Sequence, residues 1–404
     1  MSGAAGAARV SGAAQVSGET GADPEAEPVR PLAGYTVGIT AARRREEFAA
    51  ALERRGAKVI SGPAIRLVPL ADDRELLAAT QRCLDAPLDI VIATTGIGFR
   101  GWMEAADTWG QAEKLAEAIG QATVLARGPK ARGAIRASGL REAWSPESES
   151  SSEVLAHLIA SFGLDGARIA VQLHGEPLPD VVETLRLAGA EVIEVPVYRW
   201  VLPDDTAPLH RLIQAVSVAA IDAVAFTSAP AAASFLRAAG ERGCGDAVRA
   251  ALRGPVVPAC VGPVTAGPFQ RDGIPVIRPG RSRLGALVRE IVEQVPRRRG
   301  LLLPAAGHTM DVRGHAVVLD GRLIPLTGAS MALLRELTAR PGHVVPRARL
   351  LKVAPGDGGE HAVEVAVGRL RTALGDPRII QTVVKRGYRL AYEPERADAG
   401  TWRY

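Results

Sequence analysis

The chain has 404 residues, a formal net charge of +5, and 47% hydrophobic but only 4% aromatic residues; this length suits two or three domains, and an apolar content dominated by Ala, Val and Leu suits helices packed on sheets. Its three cysteines, Cys83, Cys244 and Cys260, are odd in number and lack CxxC spacing, which excludes a disulfide framework or a cysteine-built zinc site and fits a reducing cytoplasm. No apolar run is long enough to span a membrane.

Residues 1–33, rich in Ala, Gly, Ser and Glu, are expected to form a disordered tail with no signal-type apolar block. From Gly34 onward, short Val/Ile runs alternate with Ala/Leu/Arg-rich helical stretches. "TVGIT" (36–40) and "AKVIS" (57–61) are predicted strands on either side of a helix ended by Gly56. "DIVIATT" (89–95), "ATVLAR" (122–127), "ARIAVQL" (167–173), "AEVIEVPVY" (190–198), "DAVAFTS" (222–228), "PVVPACVG" (255–262) and "IPVIRP" (274–279) continue the pattern. Strands separated by helices imply parallel sheets with crossover helices, and this many strands imply two open sheets. An internal duplication supports two lobes: "DIVIATTGIGF" (89–99) is similar to "DAVAFTSAPAA" (222–232), and "ARGPKARGAIRASGL" (126–140) to "CVGPVTAGPFQRDGI" (260–274).

Residues 297–312 break this pattern and are expected to be a linker. "GHAVVLDGRLIPLT" (314–327) then predicts two short strands about an Asp320-Gly321 turn. Helices follow in "GASMALLRELTARPG", "PRARLLKVA" and "HAVEVAVGRLRTALG" (361–375), and the chain ends in a hairpin, "TVVKRGYRL" (382–390), and a second tail, 394–404. Between Gly314 and Tyr392 twelve Lys or Arg stand against six Asp or Glu, a local basic excess that suits a polyanion partner. In the third helix Val363, Val367, Leu370 and Leu374 make a buried stripe. The opposite face carries Val365, Gly368 and Thr372, flanked by Arg369 and Arg371. Such a face can enter a major groove; an ordinary solvated helix face is the plain alternative.

In the body, "FTS" (226–228) and "CVGPVTAG" (260–267) end strands at helix starts, where free N–H groups and hydroxyls suit carboxylates or phosphates. Thr227, Ser228 and Thr265 are otherwise simple N-caps. "TTGIGF" holds Gly-x-Gly without a third glycine or an acidic partner, a weak dinucleotide signal. No HExxH, Walker or nucleophile-elbow motif occurs.

"IPLTGASMALLRELTARPGHVVPRARLL" and "HAVEVAVGRLRTALGDPRIIQTVVKRGYRL" resemble the winged-helix DNA-binding domain of OmpR/PhoB-type response regulators. The resemblance implies double-stranded DNA as partner and a possible homodimer on it. It places Arg369 and Arg371 at the major groove, Thr382 on a phosphate, and Lys385 and Arg386 at the minor groove. It leaves Arg347 either on a phosphate or simply exposed. Ser330, Ala366, Gly368 and Val384 depart from that family's usual residues.

"GITAARRREEFAAALERRGAKVISGP", "DIVIATTGIGF", "GAEVIEVPVYRW", "AVAFTS" and "VGPVTAG" are similar, in order and spacing, to uroporphyrinogen-III synthase. That family implies an α/β body of two parallel-sheet lobes, one inserted in the other: here 34–69 with 197–296, and an insert at 70–196. A winged helix-turn-helix at 313–393 follows. The family closes hydroxymethylbilane to uroporphyrinogen III, in tetrapyrrole biosynthesis, without metal or cofactor. By this resemblance Tyr198 is the acid and Thr265 lies at the reacting centre, while Thr94, Thr95, Thr227, Ser228, Gly262 and Val264 line the substrate cleft. Tyr198 packing on a lobe is the alternative. The first-copy counterpart of Thr265 is Ala131, flanked by Lys130 and Arg132. The fused layout resembles actinobacterial regulators, so the body is expected either to catalyse this reaction or to sense a small polycarboxylate. An active synthase with a C-terminal protein-interaction module is the other reading.

Overall fold

The computed structural model describes residues 28–69, 74–147, 151–175, 178–353 and 359–394. The chain divides into two units, one spanning Tyr35–Arg299 and the other made of the residues up to Gly34 together with those from Gly300 onward.

In the first unit the strands are β1 Thr36–Ile39, β2 Lys58–Ser61, β3 Arg66–Pro69, β4 Ile90–Ala93, β5 Thr123–Ala126, β6 Arg168–Gly175, β7 Glu191–Val201, β8 Ala223–Phe226 and β9 Val257–Cys260. They form two sheets, in the orders β2-β1-β8-β9 and β3-β7-β6-β4-β5. All pairings are parallel except β3 with β7, which runs antiparallel with Arg66 opposite Val201. The uninterrupted apolar runs of β1, β4, β8 and β9 are buried along their whole length, as strands covered by helices on both faces must be. Phe226 anchors the first lobe, with Phe235 edge-on at 5.4 Å and Phe269 tilted at 4.7 Å, contacts worth about 0.5–1.5 kcal/mol each beyond their burial. Trp200, at the end of β7, packs against the cores of both lobes.

The second sheet runs from Arg66 to Val201, so its strands extend beyond the 70–196 expected for the insert. "IPVIRP" makes only a single bridge, Ala259 to Ile277, because its prolines cannot donate to a ladder. The duplicated segments give matching junctions. Thr95 and Ser228 cap the helices Gly96–Thr108 and Ala229–Glu241. Gly128-Pro129 and Gly262-Pro263 open the helices Pro129–Ala137 and Pro263–Arg271.

The second unit begins with two strands where a linker was expected. The helix Leu284–Arg299 runs to the end of the first unit, and β10 Leu301–Ala305 and β11 His308–Val312 pair with β12 Ala316–Leu319 and β13 Arg322–Pro325 in an antiparallel sheet. Asp320 and Gly321, both at positive φ, make the β12–β13 turn. Helices Gly328–Thr338, Arg347–Leu351 and Gly359–Leu374 follow, then the hairpin of β14 Ile380–Val383 and β15 Gly387–Leu390. Val363, Val367, Leu370 and Leu374 are buried in one core with Leu333, Leu334 and Leu337, matching the expected stripe.

Part of the expected N-terminal tail belongs to this unit. Residues 1–27 and 395–404 lie outside the described residues, but the Arg313 guanidinium donates to the carbonyls of Arg30 and Ala33, and the His315 N–H to that of Gly34. The chain therefore crosses between units twice. At the body's end of these crossings the buried Asp222 carboxylate accepts from the Thr36 N–H at 2.8 Å and pairs with Arg299 at 3.7 Å.

Candidate active-site cleft and nucleic-acid interface

Strand ends build the cleft in the body. Arg43 follows β1; Thr94 and Thr95 follow β4; Arg127, Gly128 and Lys130 follow β5; Ser228 follows β8. With Arg100, Tyr198 and Trp200 they line a cavity of about 500 Å³. A neighbouring cavity of about 640 Å³ is lined by Gly262, Val264 and Thr265 after β9, with Glu147, Arg281, Arg283 and the same Lys130. Thr94, Thr95, Tyr198 and Ser228 thus fall together in the first cavity, and Gly262, Val264 and Thr265 in the second. Thr227, half-buried, is among the lining residues of neither. Thr265 lies inside its helix and is buried, so it is no N-cap, whereas the Thr95 and Ser228 hydroxyls do accept helix N–H groups, from Gly98 and Ala231.

The cleft is strongly basic. Arg43, Arg100, Arg127 and Lys130 line the first cavity, whose described lining residues include no Asp or Glu, and Lys130, Arg281 and Arg283 outnumber Glu147 in the second. Low-dielectric walls focus such charge on an anionic guest, and charge-assisted hydrogen bonds from Arg to carboxylates are the strong ones. Sequence reasoning missed Arg43, Arg100, Arg127, Arg281 and Arg283. The signal for Arg43 and Arg127 was a cation placed just after a parallel strand's C-terminal end. Arg132 faces Glu142 instead, at 4.0 Å, and Ala131 is buried.

Tyr198 is the candidate acid. Its ring is 4% exposed, and burial pushes the phenol's pKa above its ordinary value, while Thr95, Arg127 and Arg43 pull it back. The phenol stays protonated through neutral pH. Its hydroxyl lies 3.4 Å from Thr95 Oγ1, and its ring meets Trp200 edge-on at 5.3 Å.

In the second unit the exposed face of the helix Gly359–Leu374 carries Val365, Gly368, Arg369 and Thr372. Arg369 is exposed, as are Val384, Lys385 and Arg386 at the hairpin tip, so four side chains present an accessible, basic edge. Arg371 differs from expectation. Its Nε and Nη2 donate to the Ile380 carbonyl at 2.9 and 2.6 Å, and Nη2 also to the Thr382 hydroxyl at 3.0 Å. It ties the helix to the hairpin rather than reaching outward. Arg347 faces Glu364 at 3.7 Å and lies over the Tyr388 ring. Thr382 is exposed and keeps its own proton to donate.

His308 fastens the sheet to the residues that follow this helix. Nδ1 lies 2.5 Å from Asp320 and Nε2 3.1 Å from Asp376. Both contacts raise the imidazole pKa, Asp320 first, and Arg378, followed by His308, holds the Asp376 carboxyl well below the usual range. A raised folded-state pKa means that the His308 contribution is complete below the ordinary imidazole value and is lost as pH rises through the folded value. The melting temperature of this unit is therefore expected to decline as pH rises past neutrality, by the equivalent of at most about 1 kcal/mol because the group is partly solvated. Thermal melts of the chain and of His308→Ala across pH 6 to 9 check this; a slope that persists in the variant would assign it to another group.

The chain thus joins a two-lobed α/β body with a basic cleft to a winged helix with an exposed basic edge. Residues 46–289 match the family described as uroporphyrinogen-III synthase HemD, and the chain belongs to that family. Residues 321–390 match the C-terminal domain of transcriptional regulatory proteins, the OmpR/PhoB-type DNA-binding domain. YjjA of Bacillus subtilis is 28% identical over 263 residues, 65% of this chain and 96% of its own length. A uroporphyrinogen III synthase structure from Thermus thermophilus is 29% identical with a TM-score of 0.53, covering 66% of this chain and all of that one. The transcriptional regulatory protein CseB of Streptomyces coelicolor is 42% identical over 84 residues, 20% of this chain and 36% of its own length, so the likeness concerns about a third of that protein. Among the described residues no helix is long and apolar enough to cross a membrane.

Proposed function

We propose that the chain is a DNA-binding transcriptional regulator whose synthase-type body takes hydroxymethylbilane, a linear tetrapyrrole polycarboxylate, and closes it to uroporphyrinogen III. The observation that carries this reading is the cleft itself: a protonated, buried Tyr198 inside a cavity lined by Arg43, Arg100, Arg127 and Lys130. The cations match the substrate's carboxylates. Tyr198 donates its proton to the terminal hydroxyl, the carbon–oxygen bond breaks, water leaves, and the resulting cation is stabilised by the pyrrole nitrogen. Ring closure with inversion of the last pyrrole follows, and the proton lost from carbon at closure restores the phenol. A second reading, a sensor that binds the same polycarboxylate without turnover, is favoured by Ala131, which replaces a hydroxyl at the position equivalent to Thr265. Supplying hydroxymethylbilane and measuring the ratio of type III to type I product separates the two: type III establishes catalysis, and type I alone leaves sensing.

Duplex DNA binding is tested with single variants. Arg369→Ala is expected to weaken affinity about tenfold or more at unchanged melting temperature, since a groove-facing Arg contributes about 1–3 kcal/mol. Arg371→Ala is expected to lower the melting temperature as well, because three hydrogen bonds that hold the hairpin are lost. Binding measured against salt concentration should show the log–log dependence of counterion release. Salt-independent binding, or an unaffected Arg369→Ala, would remove this helix from the interface.

A further inference from the structure

The polar atoms behind Tyr198 form a chain whose donors and acceptors can be assigned one by one. Thr94 Oγ1 donates to the Gln172 backbone carbonyl at 2.8 Å. Its proton is thereby used, so towards the Gln172 side chain it can only accept, and it lies 3.2 Å from Nε2. This sets the orientation of the amide, whose nitrogen also lies 3.0 Å from Thr95 Oγ1. Thr95 Oγ1 then accepts from Gln172 and, at 3.2 Å, from the Gly98 N–H. A hydroxyl has two acceptor positions and one proton. With both acceptor positions filled, Thr95 has only its proton to offer Tyr198, 3.4 Å away.

We infer that Gln172 is a positioning residue that makes Thr95 the donor to Tyr198, so that the phenol's own proton points into the cleft. The inference rests on the reading of Tyr198 as the acid. Gln172 is fully buried and is not among the cavity-lining residues, so it reaches Tyr198 through Thr95. The second glycine of "TTGIGF" belongs to the same device. A Cβ at Gly98 would stand 2.2 Å from Gln172 Nε2 and 2.8 Å from Thr95 Oγ1, closer than real contacts allow, so glycine makes the room this amide needs. The Gly-x-Gly that suggested a nucleotide site serves a hydrogen-bond relay instead.

Gln172→Met keeps the side chain's length and removes its donor. Thr95 then regains a free acceptor position, takes the Tyr198 proton, and stabilises the neutral phenol in the wrong direction. Two readouts follow. The Tyr198 ionisation, followed by tyrosinate absorbance with Tyr198→Phe as the subtraction, should move to higher pH. Turnover should fall about tenfold in kcat at a KM within twofold, and Gln172→Met should add nothing in a Tyr198→Phe background. An unmoved ionisation, or a further loss of turnover in that background, would overturn the inference. Gln172→Leu is the substitute should the Met variant not fold. The titration needs no turnover, so a chain that forms only type I product fails the proposed reaction while the titration still decides the direction of the bond.

Discussion

Replacing Tyr198 by phenylalanine is expected to slow formation of uroporphyrinogen III by about 10²- to 10⁴-fold, the range that a positioned general acid supplies. The variant keeps the ring, and with it the edge-on contact to Trp200 and the packing at the junction of the lobes, so KM and melting temperature should change little. The raised ionisation of the buried phenol adds a pH signature. Because the acid form persists to higher pH than a free phenol's, kcat should stay level through neutral pH and fall only on the alkaline side, at or above the ordinary tyrosine value of about 10. Steady-state rates across pH for both proteins check this. A Tyr198→Phe rate within twofold of the parent would mean that another group protonates the leaving hydroxyl.

Gly387→Ala is expected to cost the DNA-binding unit about 2–4 kcal/mol, a fall in melting temperature of roughly 10 °C or more for a unit of this size. Two independent obstacles meet at this residue. Its φ of +137° lies where side chains are disfavoured, and an added Cβ would sit 2.1 Å from the Val345 carbonyl oxygen and 3.0 Å from Pro346 Cα. These are backbone atoms, in the segment that exchanges hydrogen bonds with Tyr388 and leads into the helix Arg347–Leu351. The hairpin cannot hold that pairing and accept a methyl group. Calorimetry reads the transition directly, and duplex binding should weaken with it. An unchanged transition would show that the Val345 segment relaxes freely.

The elements legible in the sequence were those whose stability is local or repetitive. Apolar runs such as "IVIA" and "AVAF" announce buried parallel strands, and the Asp320-Gly321 pair announces its turn, because backbone preference alone decides them. The strands β10 and β11 were not legible. Leu301–Ala305 contains a proline, and the alternation in His308–Val312 covers only four residues, at the lower limit of a strand signal; their identity comes from pairing with each other and with β12. The cleft was half legible. Hydroxyls at helix starts could be found by pattern, but the cations around them come from four separate stretches of chain that only the fold assembles. Arg371 shows the same limit at closer range. On a helical wheel it flanks the outward face, yet a carbonyl nine residues later captures its guanidinium.

The paired crossings of the chain have a consequence for what counts as a domain. Residues 30–34 and those from Gly300 onward are two halves of one folded unit, and the synthase-type body sits in the sequence as a guest within it. Asp222 holds Thr36 and Arg299, at the guest's two ends, to a single carboxylate. A fragment that begins at residue 300 is thus an incomplete domain, lacking the segment that Arg313 and His315 bind. After a single proteolytic cut at the second crossing, the residues from Gly300 onward stay with the rest of the chain only through non-covalent links such as the hydrogen bonds of Arg313 and His315 to residues 30–34.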